Sequence, residues 1–193
     1  MASDLLAALA LMAAPIPAAP ALTAAPTLEE FETVLRRHDS ATLALEEWCA
    51  LRGLADPARV TARTITQTMN VASDAAPAMR DRLAIGPGDA VAMRHVQLSC
   101  GPAVLSVAWN WFVPDRLTHD MKNALRLSDA PFGKVVAPLG FRRRPLSTVA
   151  GPADDCPANT ISTHRAMLVL PDGRPLAYLV ECYTAANLAP VQE

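Results

Sequence analysis

One carboxylate interrupts an otherwise apolar segment near the C-terminal end of the chain. In residues 176 to 184 (LAYLVECYT), strand alternation puts Ala177, Leu179, Glu181 and Tyr183 on one face and Leu176, Tyr178, Val180 and Cys182 on the other. Both faces are apolar except at Glu181. A strand covered on both sides holds that carboxylate in a dry setting, where burial raises its pKa unless a cation or several donors compensate. Such a group is a candidate general acid or base. The alternative is a structural carboxylate paired with an arginine on a neighbouring strand.

Cationic partners for Glu181 come from two other segments of strand character. Arg94 and His95 lie in the middle of one, and His164 and Arg165 lie early in another. Consecutive residues of a strand point to opposite faces, so only one of each pair can share a pocket with Glu181. An arginine there would clamp a substrate carboxylate through two parallel hydrogen bonds. The run Arg142-Arg-Arg144 reads as a solvated loop rather than a nucleic-acid patch, because the chain around it is acidic. His38 and His119, beside helix starts, are expected to face solvent.

Other chemistries are excluded by what the sequence lacks. Cys49, Cys100, Cys156 and Cys182 are far apart, with no Cys-x-x-Cys pair and no histidine at ligand spacing, so no metal site is expected. The four thiols permit two disulfides in an exported protein, with three pairings open, or four reduced core cysteines. No G-x-S-x-G, Walker, Rossmann or H-E-x-x-H pattern occurs, which removes the commonest hydrolase, nucleotide and zinc-protease readings. What remains is a protein with a pocket for a small molecule.

The elements that must build this pocket can be read in order. Thr27-Leu-Glu-Glu30 is a capping box opening a helix that carries Phe31, Val34 and Leu35. Asp39 or Ser40 caps a second helix, which carries Leu43, Leu45, Trp48 and Leu51 and stops at Gly53. Residues 60 to 68 alternate and are rich in Thr, predicting a strand. Residues 75 to 90 form a short helix or loop closed by Gly86-Pro-Gly88. Residues 91 to 98 and 104 to 113 make a hairpin around Ser99-Cys-Gly-Pro102. Thr118 caps a helix reaching about Leu127, with Met121, Leu125 and Leu127 inward, and residues 131 to 136 make another. After a loop rich in Arg, Pro and Asp, residues 161 to 170 and 176 to 184 form a second hairpin around Pro171-Asp-Gly173. The order predicts an α+β fold: an antiparallel sheet built from hairpins with helices packed on one face.

Bulk properties agree with one such domain. A chain of 193 residues can bury a substantial core without metals. Its net charge of -2 gives no electrostatic reason to expect nucleic acid or an anionic membrane as partner. Residues 1 to 26 read as a signal-like or flexible Ala/Pro-rich segment, and residues 27 to 193 as the domain. The apolar run at residues 5 to 14, followed by Ala19-Pro-Ala21, resembles a secretory signal peptide and points to a periplasmic or secreted protein. Against it, Asp4 stands where a basic residue belongs, and the alternative is a cytoplasmic protein with a flexible arm. The run is shorter than the ~20 residues a membrane-spanning helix needs.

Several of these stretches, His38-Asp-Ser-Ala-Thr42, Pro114-Asp-Arg-Leu117, Ala130-Pro-Phe-Gly-Lys134 and Gly173-Arg-Pro-Leu176 leading to Glu181, resemble the chorismate pyruvate-lyase family in order and spacing. The resemblance covers roughly residues 28 to 188. It implies a chorismate lyase-like fold and a cofactor-free lyase that cleaves chorismate to 4-hydroxybenzoate and pyruvate in a cavity under helical flaps. It also implies that Glu181 is the active-site glutamate and that Ala41 lines the pocket. At the position of the family's carboxylate-gripping arginine this chain has Asn110 or Trp109, depending on the anchor used, so Arg94 or Arg165 would have to take over. The expected site is therefore Glu181 as the catalytic residue, with Arg94, Asn110, Arg165, His164, Ala41 and Trp109 binding substrate and no cofactor. The alternative is an exported, non-catalytic binding protein for a small aromatic or apolar ligand. The related UTRA effector-binding domains follow a DNA-binding module, and residues 1 to 90 show no basic recognition helix, so a transcription regulator is not expected.

Overall fold

The computed structural model describes residues 25–68, 77–86, 88–153 and 155–190. Residues 1–24 of the signal-like segment lie outside the described residues, as do 75, 76 and 87 of the predicted helix or loop.

Two helices open the domain, α1 (Leu28–Arg36) and α2 (Ala41–Arg52). The capping box at α1 is formed: Thr27 Oγ1 accepts from Glu30 N at 3.2 Å and Glu30 Oε2 accepts from Thr27 N at 2.8 Å. Helix α2 starts after Ser40 and ends at Gly53 in the left-handed region (φ 60°), but the Ser40 side chain makes no cap bond. Strand β1 (Val60–Thr68) and helix α3 (Pro77–Leu83) follow. The first predicted hairpin is β2 (Ala92–Cys100) and β3 (Ala103–Phe112). Helices α4 (His119–Leu127) and α5 (Phe132–Val136) come next.

Thr118 caps α4, its Oγ1 accepting from Met121 N at 3.2 Å. Leu125 is buried, whereas Leu127 is 75% exposed, so the expectation that Leu127 faces inward is corrected. The helix ends at that residue, which lies two positions beyond Leu125 and about 200° round the helix from it. A larger correction concerns the Arg-rich segment. It is a strand, β4 (Arg142–Ala150), paired antiparallel with β5 (Thr160–Val169), which forms the second predicted hairpin with β6 (Pro175–Thr184).

The six strands among the described residues form one antiparallel sheet in the order β1-β2-β3-β6-β5-β4. The two hairpins meet at β3 and β6 in the centre, and β1 and β4 form the edges. This is the expected α+β architecture. Helices α1 and α2 pack on β1, β2 and β3 through Phe31, Leu45, Trp48, Val96 and Leu98. On the same face, α4 and α5 cover β3, β5 and β6 through Leu125, Phe132, Val136, Phe112 and Leu168. The opposite face is closed in part by α3, whose Leu83 packs with Tyr178 and Val180. Strand β6 is thereby covered on both sides.

Of the three cysteine pairings, the structure has Cys49–Cys100 and Cys156–Cys182. The first ties α2 to the end of β2. The second ties the β4–β5 loop to β6. Glu46 adds a polar tie, with Oε1 accepting from Val60 N at 2.8 Å and from Lys134 Nζ at 2.5 Å, so α2, β1 and α5 are held together. Among the described residues no helix is long and apolar enough to cross a membrane.

Candidate functional site

The register of the central strands places Glu181 opposite Ala108 of β3 on one side and His164 of β5 on the other. Ala108 is small, and with Asn110, its neighbour on that face, it lines a cavity beside Glu181. Glu181 itself is 4% exposed. Its cation comes from β4. Arg143 is in register with Leu168, on the face that holds Glu181, and its guanidinium reaches across β5. Nη1 donates to Glu181 Oε1 at 3.1 Å, and Nη2 donates to Oε2, a two-pronged ion pair. Tyr183 Oη donates to Glu181 Oε2 at 3.1 Å.

Burial alone would push Glu181 up, but the Arg143 charge and its hydrogen bonds prevail and hold the carboxyl below the usual glutamate range. Glu181 is therefore ionised at neutral pH. Burial opposes the charge of Arg143 as well, yet Glu181 beside it raises its pKa. Burial and then the Glu181 charge raise the Tyr183 phenol well above its ordinary value, so it acts as a neutral donor.

The α1–α2 turn is fastened to the start of β4. Asp39 Oδ1 accepts from Arg143 N and Oδ2 from Arg142 Nη1, both at 2.8 Å. Burial works against this carboxylate, but those bonds outweigh it and lower its pKa. On the other side of Glu181, Ser162 Oγ donates to Glu32 Oε1 at 2.9 Å and lies 3.0 Å from His164 Nε2. The His164 ring meets Tyr183 edge-on, with centroids 5.0 Å apart. Burial lowers the His164 pKa and Arg143 adds to this, against the pull of Glu181 and Glu32, so the ring is neutral at pH 7.

Two spaces adjoin the Arg143–Glu181 pair. An inner cavity of about 30 Å³, room for a water or two, is lined by Ser40, Thr42, Asn110, Gly133, Arg143 and Glu181 among others. The Ser40 hydroxyl is buried there without a partner. Gly133 lets the wall come close, because a Cβ there would lie 2.5 Å from Ser40 Oγ and force it to move. The second space is a groove of about 280 Å³ between α1 and strands β4 and β5. Leu35, Pro145 and Tyr183 give it apolar surface, and Arg36, Arg37, Arg143 and Arg165 give it cations. Arg143, Asp39 and Ala41 border both spaces.

The residues named from sequence are distributed unevenly around this centre. Ala41 borders both spaces, Asn110 lines the inner cavity, and His164 and Arg165 line the groove. Arg165 Nη1 also donates to Ser147 Oγ at 3.0 Å. Arg94 and Trp109 line neither space. Arg94 is fully buried and directed at Ala130 O (3.0 Å), Thr64 Oγ1 (3.2 Å) and Ser128 O (3.4 Å), so it fastens the α4–α5 junction to the sheet. Trp109 pairs with Val180, on the face opposite Glu181, and stacks on His95 at 4.1 Å. The residues that sequence reasoning passed over are Arg143, Glu32, Ser40 and Tyr183's hydroxyl. Arg143 was hidden because three successive arginines mask strand alternation. Tyr183 was legible, two residues beyond Glu181 on the same face.

The fold is similar to that of solved domains. It is similar to the effector domain of PhnF from Mycobacterium smegmatis, with 14% identity and a TM-score of 0.55 over 76% of this chain and 89% of that one. It is also similar to the ligand-binding domain of a putative GntR-family transcriptional regulator from Bordetella bronchiseptica, with 18% identity and a TM-score of 0.50 over 66% and 86% of the two chains. The class is thus the UTRA or chorismate lyase-like fold. No family model matches the sequence. The chain is 33% identical over 179 residues to the uncharacterized protein y4mC of Sinorhizobium fredii (strain NBRC 101917 / NGR234), covering 81% of this chain and 73% of that protein, and it belongs to the same family as y4mC.

Proposed function

We propose that this protein is an exported binding protein for a small aromatic carboxylate, seated in the groove against Arg143. The observation that carries this reading is the closed Arg143–Glu181 pair between a cavity of water size and an open groove. A lyase acting through Glu181 as proton donor needs a protonated carboxyl, and this one is held ionised, which leaves it only the proton-accepting role. An enclosed ligand needs roughly 300 Å³ or more, ten times the inner cavity. The groove approaches that volume and offers a ring the surface of Leu35, Pro145 and Tyr183, with arginines for the acid.

Export rests on the two disulfides, which persist in oxidising compartments and are rare in the cytoplasm. Chorismate is made and used in the cytoplasm, so an exported protein would not meet it. Calorimetric titration with benzoate and 4-hydroxybenzoate tests the binding; saturable heat in the wild type that disappears in Arg143→Met is the expected result. No binding of either acid would sink the reading. Mass spectrometry of the mature protein tests export, and an uncleaved N-terminus with four free thiols would count against it.

A second reading is a lyase on chorismate or a close analogue. One observation favours it: Glu181 occupies the position that the chorismate lyase resemblance gives the active-site glutamate, and Arg143 supplies from β4 the cation that β3 lacks. Incubation with chorismate should then yield 4-hydroxybenzoate above the uncatalysed background, and Glu181→Gln should abolish it.

A further inference from the structure

We propose that the groove takes up its acidic ligand together with one proton from solvent, and that His164 carries this proton. The inference rests on the reading of the groove as an acid-binding site and goes beyond it by assigning the linked ion.

The geometry prepares His164 for both states. Its Nε2 lies 3.0 Å from Ser162 Oγ and 3.7 Å from Glu32 Oε1. A neutral ring shares the serine hydroxyl, and an imidazolium has the Glu32 carboxylate at hand. Its own strand places it directly beside Glu181 and on the groove wall. The charged and titratable groups around it come from every element packed there. They are Glu32 and Arg36 of α1, Arg37, His38 and Asp39 of the following turn, Arg143 of β4, Arg165 of β5, and Glu181 and Tyr183 of β6.

Glu181 satisfies Arg143 through both oxygens. A ligand carboxylate that engages Arg143 brings a second anion to one guanidinium. Two carboxylates beside a single buried cation repel each other unless positive charge is added. Of the two histidines on the groove, His164 is the one in register with Glu181, whereas His38 Nε2 is held 2.5 Å from Glu47 Oε2, and the arginines already carry their charge. Burial, aided by Arg143, keeps the ring neutral before binding. The incoming anion, and the weaker hold of Arg143 on Glu181, both favour the imidazolium.

The sign of the linkage follows. A group whose pKa rises on binding takes up a proton, so affinity falls as pH rises through the histidine range, by up to about tenfold per pH unit. The test is calorimetry with 4-hydroxybenzoate at about pH 6, near the ordinary histidine pKa, in buffers of differing ionisation enthalpy. The expected result is a heat that varies with the buffer, with a slope approaching one proton per site. His164→Gln should still bind but with equal heats in every buffer, and Glu32→Gln should reduce the slope. Binding with buffer-independent heats in the wild type overturns the proton uptake and leaves the acid-binding reading in place. Absence of binding overturns both.

Discussion

Arg143 Nη1 stands 3.1 Å from Glu181 Oε1 although β5 lies between the strands that carry them. The two side chains are 10% and 5% exposed, so neither ion is solvated by bulk water. Removing one partner from such a pair leaves an uncompensated buried charge and costs about 3–5 kcal/mol. Arg143→Met should therefore lower the unfolding free energy by that amount, read from urea denaturation. Replacing both residues by apolar ones, Arg143→Met with Glu181→Leu, should recover most of the loss, because the pair offsets its own desolvation. A double variant as unstable as the single one would mean that Arg143 acts through packing rather than charge.

The same centre sets the response to acid. The folded state holds Glu181 below its ordinary value, so its contribution is complete above the unfolded glutamate pKa of about 4.3 and is lost as pH falls through the folded value. His164 is also depressed, but as a base. The unfolded chain takes up its proton first, so stability declines as pH falls below the unfolded histidine pKa of about 6.5. Thermal melting across pH should show an early decline that is reduced in His164→Gln and a later one that is reduced in Glu181→Gln. Unchanged profiles in both variants would assign the acid response to other groups.

How much of this was legible follows from what periodicity reports. The capping box at Thr27 and Glu30, the two hairpins and the doubly buried strand around Glu181 are local patterns, and the sequence carries each of them. It does not carry the partner of Glu181. Arg143 is chosen by register across three strands, and register cannot be read from one sequence. Strand β4 reads as a loop in the sequence because most of its residues face solvent, so no apolar alternation marks it. Arg94 reads as a pocket residue because its strand position is right. It lies on the face of Glu181, but β1 and the α4–α5 junction claim its guanidinium.

The wall of the inner cavity depends on one absent methyl. A Cβ at residue 133 would sit 2.5 Å from Ser40 Oγ, where something must shift, and 3.2 Å from Thr42 Oγ1, a tight contact. Gly133→Ala should destabilise by about 1–3 kcal/mol, as overpacking does. Ser40→Ala in the wild-type background should be near neutral, because the hydroxyl it deletes is buried without a partner. The double variant should then be more stable than Gly133→Ala alone. Additive losses in denaturation experiments would show that the clash lies with backbone or Thr42 instead.

Arg94 provides the sharpest separation of structure from ligand. Its guanidinium is fully buried, is held by two carbonyls and a threonine hydroxyl, and leaves Nε unpaired. Burial without a carboxylate lowers its pKa, the cost of a cation served only by neutral acceptors. Arg94→Met removes that cost but strands the carbonyls of Ser128 and Ala130, each worth about 1–3 kcal/mol when left unsatisfied. The variant should therefore unfold more readily, with the α4–α5 junction gaining hydrogen exchange first. Its affinity for 4-hydroxybenzoate, measured by calorimetry below the unfolding transition, should stay within about twofold of wild type. A loss of tenfold or more, about 1.4 kcal/mol, would return Arg94 to the binding site and displace the groove at Arg143 from that role.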